Sequence, residues 1–311
     1  MNSEVSKAGV ASSQNLAVLL ARALFCGVVD RGGRVEVFIA GADETDIERF
    51  VYGGYAASMD AWDAFAEQWS ARVLATTPPL EYLHVADLYV EEWRKKHNMG
   101  REEMAAKLDA AAEVIFEAPA LIPATFSVNL SEFDKLIKRQ VPLYQDRKQP
   151  MEKDLVPDFV FFVHYALRQM TLIHERCPSV TRVDFWVEQK AKISAHLGEF
   201  KKMLPELVRK IGHPELEPLI GDYIPVPKTR IQAQAADYLV WHQRHAECKT
   251  TGPDEKRRYK RICERHPSDA RFGERIWRFG FAQKIDERLI EMAMALGALE
   301  GIDYDSIEYE S

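Results

Sequence analysis

Cysteine is scarce in this sequence. Four of the 311 residues are cysteines, and Cys26, Cys177, Cys248 and Cys263 lie far apart along the chain. So sparse a set is no framework for a small disulfide-stabilised domain, and it is typical of a protein of the reducing cytoplasm. We therefore predict a cytoplasmic protein held by a hydrophobic core, because a chain of this length buries roughly three quarters of its unfolded surface.

Long apolar runs and a dominant sign of charge are also lacking. The most apolar N-terminal run, 16–29, contains Arg22 and is too short to cross a bilayer, so we expect no membrane association. The 16 glycines and 15 prolines are too few for a collagen-like or linker-dominated chain. The net charge of −7, from 41 basic and 48 acidic residues, excludes a uniformly basic coat for nucleic acid but allows a local basic patch.

The remaining composition is that of a globular protein, with 47% hydrophobic and 29% charged residues. Short apolar strands alternate with longer stretches of helical spacing, and the first two strands form a hairpin. This pattern predicts an α/β fold in which helices flank a mixed sheet. The predicted strands are 35–42, 49–57, 121–130, 181–187 and an edge strand 222–227. The predicted helices are 59–76, 101–116, 157–177, 194–211, 231–247 and 275–296; the first is capped by Asp60 and places Trp62, Phe65 and Trp69 in the core. We expect 81–88 to be a short strand or loop and 138–157 to be a surface insertion.

Acidic residues fall where the predicted elements end. Asp43 follows the first strand, Glu188 follows the strand 181–187, and Asp237 lies on a late helix among small apolar residues. Asp237 shares a face with Ala236 and Val240, so we expect it to point toward the sheet. A buried carboxylate is costly unless it is paired or bound to a metal, and carboxylate oxygens suit Mg²⁺ or Mn²⁺. The alternative is that each acid is an ordinary cap or loop-entry residue.

These residues lie in five stretches that resemble one known family. FIAGADETDIERFVYGGYAA, WDAFAEQW, EYLHVAD, VDFWVEQ and IQAQAADYLVW are together similar to the bacterial family called domain of unknown function 3800. The resemblance covers about 34–247 and implies a ribonuclease H-like fold and a metal-dependent nuclease. It divides the chain into an N-terminal leader 1–33, a ribonuclease H-like domain 34–247 and a charged helical C-terminal extension 248–311.

The resemblance also implies a role for individual residues. Asp43, Glu188 and Asp237 would hold the metal ions, with Glu44 and His84 as accessory residues. The histidine would be a proton shuttle or a substrate contact, Gln234 would orient the site, and Lys228 would touch a phosphate. The sequence departs from the family pattern at Thr45 in place of serine, at Asp46 in place of glycine, and at Glu188, where aspartate is commoner; no departure removes a carboxylate.

Histidines and cysteines cluster near the end of the helix 231–247. His242, His245, Cys248, Cys263 and His266 would be enough ligands for a structural zinc site. The usual Cys-x-x-Cys spacing is absent, so we favour a polar helix face that contains histidines and do not expect zinc.

A basic segment follows. Residues 249–278 carry ten basic and five acidic side chains with aromatic residues between them, a composition that suits phosphate binding and base stacking. We take Arg257 and Arg258 as candidate substrate contacts; the alternative is a solvated, ion-paired segment. Residues 281–311 carry eight acids and two bases, and would mask the basic segment or pair with it in a homo-oligomer.

Several well-known catalytic motifs are absent from the sequence. The sequence contains no Walker loop, dinucleotide glycine fingerprint, His-Glu-x-x-His or Gly-x-Ser-x-Gly motif. We therefore predict a Mg²⁺- or Mn²⁺-dependent phosphodiesterase acting on nucleic acid. The alternatives are a non-catalytic protein of the same fold that binds nucleic acid or protein, and a structural homo-oligomer.

Overall fold

A computed structural model describes residues 33–42, 49–129, 155–189, 197–210, 212–247 and 252–264. Several sequence predictions lie outside these ranges. They are the leader up to residue 32, the acids Asp43 and Glu44, the insertion apart from its last residues, the helix 275–296, and most of the basic segment with its acidic continuation.

Five strands form one mixed sheet in the order β3-β2-β1-β4-β5. β2 is antiparallel to both β1 and β3, whereas β4 is parallel to both β1 and β5. The predicted hairpin, the predicted edge position of the last strand and the mixed sheet are confirmed. The strands are β1 (Arg34–Ala42), β2 (Arg49–Ala57), β3 (Ile122–Asn129), β4 (Arg182–Glu188) and β5 (Ile220–Val226).

Helices fill the connections between these strands. The predicted helices within the described ranges are confirmed to within a few residues, but the helix after β2 ends in a π-helical turn at Ser70–Leu74. The α-helices are α1 (Met59–Trp69), α2 (Val85–Tyr89), α3 (Glu91–Lys96), α4 (Arg101–Glu117), α5 (Leu155–Arg176), α6 (Leu197–Lys210), α7 (Ile231–Glu247) and α8 (Pro253–Glu264), and a 3₁₀ helix covers Pro214–Leu219.

Three local predictions need correction. Ser58, not Asp60, caps α1, because its hydroxyl accepts a hydrogen bond from Ala61 N at 3.3 Å. The stretch 81–88 contains no strand; 81–84 are a loop, which was one of the two predictions, and 85–88 belong to α2. The helix α8 was not predicted, because its charged sequence carries little apolar signal.

Apolar side chains cover both faces of the sheet. On one face Trp62 packs edge-on against Phe38, and Ala40 and Val51 pack against Ala236 and Val240 of α7. On the other face Phe162 of α5 packs edge-on against Tyr52 and Tyr223. The sheet is therefore the middle layer between α1 and α7 on one side and α5 on the other. The predicted core positions Trp62, Phe65 and Trp69 are all buried.

Two glycines of β2 let neighbouring elements approach closely. A Cβ atom at Gly53 would lie 2.8 Å from the Val240 side chain of α7, and one at Gly54 would overlap the carbonyl oxygen of Phe38 on β1. The Gly-Gly pair therefore fixes the spacing of β1, β2 and α7. In the described part of the chain, no helix is both long and apolar enough to cross a membrane.

Candidate functional site

The ends of β1 and β4 lie side by side at one edge of the sheet. The two strands are parallel neighbours whose register runs from Arg34 opposite Arg182 to Ile39 opposite Val187. Glu188, the last residue of β4, therefore comes next to Ala40. Asp43 follows the last residue of β1 in sequence but lies outside the described residues, as does Glu44.

Glu188 is on the face of the sheet that α7 covers. Residues two apart in a strand share a face, so Glu188 is on the side of Trp186. The indole of Trp186 stacks on Phe38 with ring centroids 5.6 Å apart, and Ala40 on this same face packs against Ala236. The side chain of Glu188 is partly exposed. The side chain of Glu188 and the helix that carries Asp237 thus lie on the same side of the sheet.

Asp237 lies at the side of α7 rather than on the sheet. Its neighbours Ala236 and Val240 meet the sheet, whereas its Oδ2 accepts a hydrogen bond from Val85 N at 3.0 Å. The carboxylate keeps 18% of its surface exposed. The expected burial against the sheet is therefore replaced by contact with the start of α2.

His84 lies between two carboxylates. Its Nε2 is 3.7 Å from Asp237 Oδ1, and its Nδ1 is 3.1 Å from Asp87 Oδ1. Asp87 Oδ2 in turn faces the Tyr82 hydroxyl at 3.4 Å and the Lys228 ammonium at 3.6 Å. A continuous polar network, which we call the His84 network, therefore joins Tyr82, His84, Asp87, Lys228 and Asp237.

The environment of Lys228 favours its charged form. Partial desolvation lowers the pKa of Lys228, but Asp87 and the Tyr82 hydroxyl together raise it by more. Its ammonium also lies 5.0 Å from the centre of the Tyr82 ring, within range of a cation–π contact. The side chain remains 45% exposed, so it can reach solvent or a ligand.

Gln234 is a buried connector. Its Oε1 accepts hydrogen bonds from Trp69 Nε1 at 3.0 Å and from Leu83 N at 2.9 Å, and its Nε2 donates to Thr229 O at 2.9 Å. With 1% of its surface exposed it does not reach a substrate. It fixes the segment before His84 against α7, which fits the predicted role of orienting the site.

Arg257 and Arg258 both contact Asp109 of α4. Arg258 is 2% exposed and its Nε donates to Asp109 Oδ1 at 2.7 Å; Arg257 Nη2 lies 3.0 Å from the same oxygen but keeps 57% of its side chain exposed. Arg258 is therefore part of the α4–α8 contact and is closed to solvent. Arg257 is the one of the pair whose guanidinium is open to a phosphate.

The two described histidines of the predicted zinc cluster are engaged within α7. His242 Nδ1 is 2.9 Å from Tyr238 O and His245 Nδ1 is 2.8 Å from Trp241 O. Burial lowers the pKa of His242 to about 3. The side chains of Cys248, Cys263 and His266 lie outside the described residues.

No group of three or more His, Cys, Asp or Glu side chains that could hold a metal ion occurs within the described ranges. The predicted third carboxylate, Asp43, falls in the undescribed gap after β1. Glu188 and Asp237 provide the hard oxygen donors that Mg²⁺ and Mn²⁺ prefer.

Sequence reasoning missed Tyr82 and Asp87. Asp87 follows His84 by three residues, and on a helical turn this spacing places two side chains on one face. The stretch was interpreted as a strand or loop, in which that spacing carries no meaning. A helical reading would have paired the two residues.

Comparison with protein-family models, with curated proteins and with solved structures finds no match for this chain. The resemblance to domain of unknown function 3800 therefore depends on the short motifs themselves.

Proposed function

We propose that this chain is a divalent-metal-dependent phosphodiesterase that acts on nucleic acid and has a ribonuclease H-like fold. The observation that carries the proposal is the placement of acids around one sheet edge. Glu188 ends β4 beside β1, on the face that α7 covers, and Asp237 lies on α7. Asp43 follows the last residue of β1 in sequence and lies outside the described residues.

The strand order supports the fold assignment. In the order β3-β2-β1-β4-β5, β2 is the strand that runs against the others. A mixed sheet of this order, with acidic residues near the adjacent ends of β1 and β4, supports the proposed ribonuclease H-like fold.

Asp43, Glu188 and Asp237 would hold Mg²⁺ or Mn²⁺. When bound, such ions activate a water molecule and neutralise the charge that develops on a phosphodiester during its displacement. Other side chains of the protein would position the site and bind the substrate. His84 faces the proposed ligand Asp237 as an accessory residue, and Gln234 fixes the segment that carries His84. The exposed cations of Lys228 and Arg257 would bind phosphates.

Carboxamide variants test the proposal directly. We would incubate the full chain with labelled single- and double-stranded DNA and RNA oligonucleotides in Mn²⁺ and in EDTA. We expect Mn²⁺-dependent cleavage that Asp43→Asn, Glu188→Gln and Asp237→Asn each reduce at least about a hundredfold, because each removes a metal-binding charge. Asparagine at 237 keeps an acceptor for Val85 N, so this variant is expected to fold.

Matched controls are available on α1. Asp63 and Glu67 are exposed, so Asp63→Asn and Glu67→Gln make the same chemical change away from the sheet edge and should leave cleavage intact. Cleavage that survives all three site variants would refute the metal site. Salt-dependent binding without cleavage would instead indicate a non-catalytic nucleic-acid-binding protein.

A further inference from the structure

The donors around Asp87 form a distinct feature of the His84 network. Asp87 Oδ2 faces the Tyr82 hydroxyl and the Lys228 ammonium, and its Oδ1 faces His84 Nδ1. An ammonium, a hydroxyl and an imidazole that converge on one anion are also the groups that would bind a phosphate. The carboxylate of Asp87 thus occupies a position that would also suit the phosphate group of a ligand.

The two contacts that Asp87 Oδ2 makes are long. The Tyr82 hydroxyl is 3.4 Å away and Lys228 Nζ is 3.6 Å away, both beyond the usual length of a hydrogen bond. Lys228 is 45% and Asp87 25% exposed, and exposed ion pairs contribute little to stability. A ligand anion can therefore replace Asp87 Oδ2 at Tyr82 and Lys228 without breaking a short hydrogen bond, while Asp87 Oδ1 lies 3.1 Å from His84 Nδ1.

The surrounding backbone is better fixed than this pair. Gln234 binds Leu83 N on one side and Thr229 O on the other, so it ties both segments that carry the donors to α7. Lys228 also lies three residues before the first residue of α7, and the positive end of a helix favours a nearby anion. The donors are thereby held in place whether or not Asp87 is between them.

We propose that Tyr82 and Lys228, with His84 beside them, form a subsite for a phosphate group of a nucleic-acid strand, and that Asp87 fills this subsite in the unbound protein. This inference rests on the proposed function, because His84 links the subsite to Asp237, the residue proposed to hold metal. The subsite would bind a phosphate next to the one that is cut. Asp87 would weaken the binding of anions other than the substrate, since any anion must displace its carboxylate to enter the subsite.

Binding measurements without cleavage test the subsite. We would titrate a fluorescently labelled single-stranded oligonucleotide with the full chain in EDTA and follow fluorescence anisotropy at several salt concentrations. Asp87→Asn should tighten binding several-fold, because it removes the competing charge. Lys228→Met should weaken binding and reduce the slope of log K against log salt by about 1.

Two further variants make the result specific. Glu81→Gln removes a negative charge from the exposed neighbour of Tyr82, and should change affinity much less than Asp87→Asn. In the double variant Asp87→Asn/Lys228→Met the gain should disappear, because the released cation is absent. Circular dichroism would verify folding, and Asp87→Ser would replace Asp87→Asn if the latter did not fold.

The possible outcomes separate the two proposals. If Asp87→Asn behaves like Glu81→Gln, or if its gain persists in the double variant, the subsite is refuted while Mn²⁺-dependent cleavage still stands. If no variant binds the oligonucleotide in EDTA, the subsite is refuted, whereas the proposed function fails only if cleavage in Mn²⁺ is also absent.

Discussion

Gln234 accepts a hydrogen bond from the indole nitrogen of Trp69 at 3.0 Å, 165 residues away in sequence. The same oxygen accepts from Leu83 N, and the amide nitrogen donates to Thr229 O. One buried side chain therefore joins α1, the segment before His84 and the loop before α7. The His84 network depends on this junction for its position.

Gln234→Leu should destabilise the protein by about 2–4 kcal/mol. The substitution leaves the Trp69 indole N–H and the Leu83 N–H buried without their acceptor, and each such loss costs about 1–3 kcal/mol. Urea unfolding followed by tryptophan fluorescence would measure the change. Gln68→Leu, at an exposed position of α1, is the matched control and should change stability little; equal effects of the two substitutions would contradict the assigned role.

Gly54→Ala should prevent stable folding. A methyl group at this position would overlap the backbone carbonyl of Phe38, which β1 cannot move without losing its pairing with β2. We expect a loss of more than about 4 kcal/mol, in the range of severe core substitutions. Thermal unfolding by circular dichroism would report it.

The control for that substitution is Gly198→Ala in α6. A Cβ atom there meets nothing within 4 Å, and alanine is the better helix former. This variant should therefore gain about 0.5–1 kcal/mol in the free energy of unfolding. A Gly54→Ala protein with an unchanged melting temperature would show that β1 and β2 are not as close as described.

Most of the fold could be predicted from local pattern. The strands around Ile39, Tyr52, Phe126 and Phe185 are apolar runs bounded by turn signals, and their bounds agree with the prediction to within about two residues. The helix α8 could not be predicted in this way. It is stabilised by contacts with distant residues, such as Arg258 with Asp109 and Arg261 with Glu113, which no local pattern contains.

The candidate site could likewise be predicted only in part, because some of its contacts join residues that are distant in the sequence. Glu188 ends a strand and Asp237 lies among small apolar residues of a helix, two positions that a sequence pattern marks, and the resemblance implies that Gln234 orients the site. The side to which Asp237 turns and the role of Asp87 depend on where the segment 81–88 crosses α7. That crossing is set by the Gln234 contacts, which join residues about 150 positions apart.

His242 should make stability depend on pH. Burial lowers its pKa in the folded state to about 3, whereas the unfolded chain takes up the proton near its usual value of 6.5. The free energy of unfolding that the buried neutral ring of His242 contributes is therefore fully present above pH 6.5. It is lost progressively as the pH falls toward 3. By pH 5 the loss from this group is about 2 kcal/mol.

A comparison of variants isolates this contribution. The quantity to measure is the difference between the free energies of unfolding of the wild type and of His242→Phe in urea, because this difference removes the contributions that the two proteins share. Phenylalanine keeps a ring between Tyr238 and Trp241 but binds no proton. The variant should show a smaller loss of stability on acidification, and parallel losses in both proteins would contradict a buried neutral His242.

Substitutions of Arg257 and Arg258 should differ in their effects on the stability of the protein and on its binding to nucleic acid. Both contact Asp109, but Arg258 is buried whereas Arg257 is 57% exposed. Arg258→Met should destabilise the protein by about 1.5–3 kcal/mol, the usual contribution of a hydrogen bond to a charged group, because it removes the buried donor to Asp109, whose carboxylate is 41% exposed and keeps Arg257 as a partner. Arg257→Met should cost at most about 1 kcal/mol, as expected for an exposed ion pair.

The same two variants should have the opposite order in nucleic-acid binding. Arg257→Met should weaken oligonucleotide binding and reduce its salt dependence, since an exposed guanidinium releases a counterion when it meets a phosphate. Arg258→Met, measured well below its melting temperature, should bind almost as the wild type does, because its guanidinium faces α4. If Arg258→Met alone loses binding at unchanged stability, the helix α8 must leave α4 when it contacts nucleic acid, and the buried arginine is then a substrate contact as its sequence context predicts.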